Sequence, residues 1–188
     1  MKITSAQFER GIRGTDPIAY DGISQVAFVG RSNVGKSSLI NALVGMKGLV
    51  KVSDKPGKTR EINFFLINNK YYLVDLPGYG YAAVNPKEKE KIQNLIRWYL
   101  LESEIHPRLV VLVIDAKVGL TAFDEEMLTI LRGEQQPYVI AANKIDKLSR
   151  NELTRQVGLM AGTSESGEVI PCSAVEGGGK EEIIQKLF

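Results

Sequence analysis

Apolar positions along the chain fall into short aliphatic and β-branched blocks, separated by stretches in which they recur every three or four residues. The two periods predict strands alternating with helices. Residues 26–29 read as a buried strand. Residues 61–67 and 71–75 read as two more, joined by the polar Asn68-Asn69-Lys70 and therefore paired as an antiparallel hairpin. Residues 109–115, 138–142 and 169–171 complete a set of six. The run 109–114 has no polar position at all, the mark of a strand covered on both faces, as in a parallel sheet.

Helical patterns fill the intervals. One runs from Lys36 to about Leu43. A second opens at Asn85-Pro86-Lys87-Glu88, with a capping Asn, Pro at the first helical position and Glu at the third. A third starts near Thr121, and a fourth at Ser149-Arg150-Asn151-Glu152, a capping-box pattern. The last follows Gly177-Gly178-Gly179 and gathers Ile183, Ile184, Leu187 and Phe188 on one face. The expected fold is α/β and three-layered: a mostly parallel six-stranded sheet with one antiparallel strand, and about five helices on its two faces. No repeat or second apolar unit interrupts it, so residues 1–188 are expected to form one domain.

Composition changes this picture little. The chain has 188 residues, 44% apolar and 24% charged, within the range of water-soluble globular domains. A net charge of +2 neither demands nor excludes a nucleic-acid partner. The single cysteine, Cys172, can form no internal disulfide and fits a reducing compartment. Residues 1–10 lack a signal-peptide core, and the longest apolar run is too short to cross a bilayer. A cytoplasmic monomer with no membrane partner is expected.

The chemistry is concentrated in three motifs. Gly30-Arg31-Ser32-Asn33-Val34-Gly35-Lys36-Ser37 matches GxxxxGK[ST] between an expected strand and an expected helix. Such a loop wraps a phosphate in backbone N–H groups, so side chains must be absent where the backbone comes close. The helix amino end then faces the anion. Lys36 brings a mobile cation to the β- and γ-phosphates, and the Ser37 hydroxyl can ligate Mg²⁺. Asp75-Leu76-Pro77-Gly78 ends a strand: its carboxylate can hold Mg²⁺ through a water, and Gly78 can offer its N–H to a γ-phosphate. Asn143-Lys144-Ile145-Asp146 supplies base recognition. Guanine presents N1–H and a 2-amino group on one edge, and the Asp146 carboxylate accepts both. Adenine would set a lone pair against it. Asn143 can bridge base and phosphate loop, and the Lys144 stem can lie along the ring. Ser173-Ala174 can give an N–H to guanine O6. Thr59, in Pro56-Gly57-Lys58-Thr59-Arg60, can complete the Mg²⁺ shell while the γ-phosphate is bound.

These motifs, in this order, resemble the Ras-like, translation-factor-related GTPases. The run Gly30-Arg31-Ser32-Asn33-Val34-Gly35-Lys36-Ser37-Ser38-Leu39-Ile40-Asn41, then Lys55-Pro56-Gly57-Lys58-Thr59-Arg60, and above all Asp75-Leu76-Pro77-Gly78-Tyr79-Gly80-Tyr81-Ala82 narrow the resemblance to the EngB (YihA/YsxC) family. It implies a Ras-like P-loop fold and a GTPase that works with Mg²⁺ in assembly of the large ribosomal subunit, with rRNA and ribosomal proteins as partners. It extends nucleotide contact to Ser38, Gly57 and Lys58, and gives Lys36, Thr59 and Gly78 the catalytic roles. Asp115-Ala116-Lys117 departs from the family's common Asp-x-Arg. Tyr79 stands where Ras-type enzymes carry the glutamine that orients water, so slow intrinsic hydrolysis is expected. Asn33 either coordinates an activating K⁺, as in related GTPases, or only shapes the loop.

Two further readings stay open: a module that holds GTP or GDP with negligible turnover, and an ATP-using P-loop enzyme, against which Asp146 argues. Lys47, Lys51, Lys55, Lys58 and Arg60 form a cationic strip that either meets rRNA phosphates or is simply solvated. His106 reads as structural, Cys172 as a buried apolar residue, and Trp98 as core or its margin.

Overall fold

In the computed structural model, which describes residues 2–46, 48–50, 61–80, 85–164 and 167–188, seven strands form one sheet. They are β1 (Ala6–Ile12), β2 (Ser24–Gly30), β3 (Ile62–Ile67), β4 (Tyr71–Asp75), β5 (Leu109–Asp115), β6 (Tyr138–Asn143) and β7 (Glu168–Pro171). Their spatial order is β1-β3-β4-β2-β5-β6-β7. β2 pairs in parallel with β4 and β5, β5 with β6, and β6 with β7. β3 is antiparallel to both neighbours, so it alone runs against the other six. The Asn68-Asn69 turn joins β3 to β4 with both residues at positive φ (50° and 54°) and Lys70 N–H donating to the Ile67 carbonyl at 3.0 Å. That is the type I′ geometry whose twist suits a two-residue hairpin.

The expected six strands become seven because β1 escapes the apolar pattern. Its sequence, AQFERGI, is mostly exposed, and Phe8 is 53% exposed. Backbone pairing with β3 makes it a strand, helped by the Phe8 ring against Phe65 at 5.5 Å. The Asn68 side chain also accepts the N–H groups of Thr4 and Ser5 at 2.7 and 3.0 Å.

Five helices follow: α1 (Lys36–Val44), α2 (Pro86–Arg97), α3 (Ala122–Gly133), α4 (Arg150–Ser164) and α5 (Lys180–Leu187). Asn85 caps α2 by accepting the Lys87 N–H at 3.0 Å, and Ser149 and Glu152 form the box that opens α4. On α3 the box is closed by Asp124 rather than Glu. α2 continues into a π-helical turn, Trp98–Glu102, that buries Tyr99 and leaves Trp98 half-buried against the core.

The period of two divides the core between the faces of the sheet. Val110, Leu112 and Ile114 of β5 meet α2, α3 and α4 through Ile96, Leu128 and Met160. Leu109, Val111 and Val113 meet α1 and α5 through Leu39, Leu43 and Ile183. Such an arrangement leaves the carboxyl ends of five parallel strands, β2 and β4 to β7, at one edge of the sheet. Leu112→Ala, at a fully buried position on the central strand, is expected to cost about 2–5 kcal/mol, read as a lower urea midpoint with an unchanged slope.

Candidate nucleotide-binding site

β2 ends at Gly30 and α1 starts at Lys36, so the five residues between them form a loop on the carboxyl edge. Close approach dictates its glycines. A Cβ on Gly30 would run into the Val113 carbonyl. One on Gly35, where φ is +94°, would run into the Asn143 amide. α1 has no side-chain cap, which leaves its first amides to a ligand of negative charge.

Lys36 and Asp75 lie side by side with 8% and 1% of their surface exposed. Burial pushes the Lys36 ammonium down and the Asp75 carboxyl up, and each partly offsets the shift of the other. The Ser37 hydroxyl donates to Asp75 Oδ2 at 3.2 Å. Asp75 Oδ1 is buried with no hydrogen-bond partner among the described residues. An orphaned anionic oxygen beside a hydroxyl fits a hydrated Mg²⁺. Among the described residues no group of three or more His, Cys, Asp and Glu comes together, so a cation here would be completed by phosphate oxygens, as Mg²⁺ commonly is.

Four strand ends meet at the base side. Asn143, at the end of β6 and 1% exposed, donates from Nδ2 to the Val34 carbonyl at 2.9 Å and accepts the Ala174 N–H on Oδ1 at 3.1 Å. It thus ties the phosphate loop to the loop after β7. Lys144 takes a left-handed conformation, φ +70°, and its ammonium reaches the Asn33 carbonyl and Asp115 Oδ2, both at 2.6 Å. The stem therefore stretches from the base loop to the phosphate loop. The Asp146 carboxylate accepts from the Ser173 hydroxyl at 2.6 Å, and Ser173 in turn accepts the Glu176 N–H at 3.0 Å. Gly179, φ +71°, lets the chain fold back over Pro171, where a Cβ would strike the carbonyl. Cys172 is fully buried behind this loop, its thiol pushed up to about 12 by desolvation, which suits packing and not nucleophilic chemistry.

Two residues play parts that spacing along the chain did not suggest. Ser173-Ala174 are expected to offer a backbone N–H, and in addition the Ser173 hydroxyl donates to the Asp146 carboxylate and aims it. Asp115 anchors Lys144; its only sequence signal was an acidic residue at the end of an apolar strand. Gly78 packs directly on the phosphate loop, and Tyr79 turns away from it to lie buried against α3. His106 is exposed ahead of the buried Pro107. Gly57, Lys58 and Thr59 lie outside the described residues, as do Lys47, Lys51, Lys55 and Arg60.

Comparison with known proteins finds GTP-binding relatives. Residues 25–144 match the family described as 50S ribosome-binding GTPase, and residues 106–188 match the elongation factor Tu GTP-binding domain. A probable GTP-binding protein EngB from Clostridium kluyveri is 44% identical over 192 aligned positions, covering 100% of this chain and 96% of its own. The crystal structure of a probable GTP-binding protein EngB superimposes with a TM-score of 0.74 at 28% identity, covering 88% of this chain and 97% of its own. Era, solved with MgGDPNP and nucleotides 1506–1542 of 16S ribosomal RNA, superimposes with a TM-score of 0.71 at 25% identity, covering 88% of this chain and 55% of Era.

Ser173→Ala removes a hydrogen bond to a charged acceptor while leaving the loop backbone in place. GDP affinity measured by calorimetry is expected to fall about tenfold.

Proposed function

Because this chain belongs to the EngB family of GTP-binding proteins, which are P-loop GTPases, we propose that it binds GTP and GDP with Mg²⁺ and hydrolyses GTP slowly. We propose further that it acts as a monomeric cytoplasmic switch in assembly of the large ribosomal subunit. The observation that carries the nucleotide reading is the Asn143 brace, which sets a phosphate loop and an aimed Asp146 carboxylate in one fixed frame.

In this reading the Asp146 carboxylate accepts guanine N1–H and the 2-amino group, and an N–H of Ser173-Ala174 is offered to guanine O6 with the Asn143 brace kept in place. The Lys144 stem covers one face of the base. Backbone amides from Gly30 to Ser38 hold the β-phosphate, and Lys36 stabilises charge on the β- and γ-phosphate oxygens as the bond from the γ-phosphorus to the bridging oxygen breaks. Gly78 offers its N–H to the γ-phosphate, next to Leu76 and Pro77 of the same loop. Ser37, Asp75 and Thr59 would hold Mg²⁺, which supplies charge neutralisation at the phosphates. Gly57 and Lys58 belong to the loop that carries Thr59.

Tyr79 supports the slow rate: its side chain is buried against α3 and stands away from the phosphate loop, where it cannot orient a water. The same observation favours, as a second reading, a nucleotide-dependent binding module with negligible turnover. An activating K⁺ at Asn33 belongs to the proposal too. The ribosomal role is supported by the description of the matched family as 50S ribosome-binding and by the rRNA complex of Era. Contact with rRNA is assigned to the strip of Lys47, Lys51, Lys55, Lys58 and Arg60.

Asp146→Asn should lower GDP affinity about a hundredfold or more and raise affinity for xanthosine diphosphate, because the new amide donates to the 2-carbonyl. Calorimetry with both nucleotides reads the exchange. Single-turnover hydrolysis should speed up when purified 50S subunits are added, and in K⁺ relative to Na⁺. Negligible rates with and without subunits leave only the binding-module reading, equal measurable rates remove activation by the subunit, and equal rates in the two salts remove K⁺.

A further inference from the structure

The chemistry of nucleotide binding makes no use of the Tyr79 side chain, yet it is 5% exposed and fully engaged. Its backbone is stitched to the phosphate loop. Ser32 N–H donates to the Tyr79 carbonyl at 2.9 Å, and Tyr79 N–H donates to the Gly30 carbonyl at 3.4 Å, a one-residue parallel bridge opposite Arg31. The ring drops between α2 and α3, where it lines a pocket of about 260 Å³ with Ile96, Leu100, Phe123 and Met127. At its far end the hydroxyl donates to Asp124 Oδ1 at 2.9 Å. Asp124 is 1% exposed, and its Oδ2 accepts the Thr121 N–H and hydroxyl at 3.0 and 2.7 Å. A single buried carboxylate therefore caps α3 and anchors Tyr79.

The residue before Tyr79 bears the consequence. Gly78 lies so close to the loop that a Cβ there would sit 3.0 Å from the Ser32 nitrogen and Cα and 3.3 Å from Lys36 Nζ. A γ-phosphoryl group gripped by Lys36 needs the space over that ammonium. The chain at Gly78 would have to lift to admit it there, and lifting would break the Ser32–Tyr79 hydrogen bond and pull on the Tyr79 ring. A diphosphate ends one phosphoryl group short and leaves the closed arrangement in place.

We propose that the hydrogen bond from Tyr79 to Asp124 is a latch that holds residues 78–79 on the phosphate loop, so that these two side chains set the preference between GDP and GTP. This rests on reading the site as a guanine-nucleotide site. A hydrogen bond between a phenol and a buried carboxyl group is costly to break, and opening the loop strands both partners unless water reaches them. Its cost falls on the triphosphate complex alone. Tyr79 and Asp124 are positioning residues: they touch no phosphate and act through Gly78.

The test measures dissociation constants for GDP and for a non-hydrolysable GTP analogue with Mg²⁺. Tyr79→Phe keeps the ring in its pocket and removes only the hydroxyl. The ratio of the analogue's constant to that of GDP is expected to fall about tenfold, with GDP itself nearly unchanged. Asp124→Asn, which cannot accept from both Tyr79 and Thr121, should move the ratio the same way. It serves as the second variant should the first fold poorly. Thr121→Val loses a hydrogen bond to the same carboxylate but spares the latch, and should lower thermal stability while leaving the ratio where it was. An unchanged ratio in Tyr79→Phe and Asp124→Asn, with GDP still bound, overturns the latch. An equal shift in Thr121→Val also overturns it, because helix stability would then be the cause. Failure of the unaltered protein to bind GDP overturns the nucleotide reading and the latch with it.

Discussion

One buried side chain amide holds the site in register. Asn143 joins three loops from different strands by using both ends of a group that could not be buried unpaired. It gives a proton to Val34 in the phosphate loop and takes one from Ala174 beyond β7. Its neighbours depend on that frame. Gly35 must be glycine because the Asn143 amide occupies the space of a Cβ. Lys144 follows in a left-handed turn, and from there its ammonium spans to Asn33 and Asp115. Distances between base loop and phosphate loop are thus set before any ligand arrives, which is the preorganisation that nucleotide selectivity requires.

Electrostatically the frame is incomplete by itself. Lys36 and Asp75 are desolvated, each is pushed toward its neutral form, and one Asp75 oxygen has no partner among the described residues. A chain optimised only for stability would not keep two such groups buried at the carboxyl edge of its sheet. In the proposed function a phosphate chain with Mg²⁺ would supply the missing charges and acceptors, and binding would relieve a strain that folding leaves in place. The latch at Tyr79 extends this logic away from the phosphates: the loop that must yield to a third phosphoryl group is tied to the capping carboxylate of α3, so the occupied site is felt at a helix it does not touch.

Much of this was legible in the residues. Gly30, Gly35, Lys36 and Ser37 stand out as a phosphate-loop pattern because such a loop constrains residue type at each position within one short segment. The strands from β2 to β7 were visible because burial imposes a period of two or an unbroken apolar run. β1 was not, since Phe8, Glu9 and Arg10 face solvent and, with Ile12 alone fully buried, the strand is held largely by hydrogen bonds to β3. Backbone pairing leaves no trace in side-chain pattern at a sheet edge.

The sequence by itself determined the local chemistry: which residues can cradle a phosphate, which carboxylate can read guanine, and where helices begin. Tertiary structure alone decided the partnerships between distant positions. Ser173 aims Asp146 from 27 residues away, Asp115 holds Lys144 from 29, and Tyr79 reaches Asp124 across 45. The first two contacts are made where loops from different parallel strands converge on one edge, and the third where such a loop meets α3. The reason is geometric: strand order in space differs from strand order in the chain, so spacing in sequence carries no record of which side chains meet there.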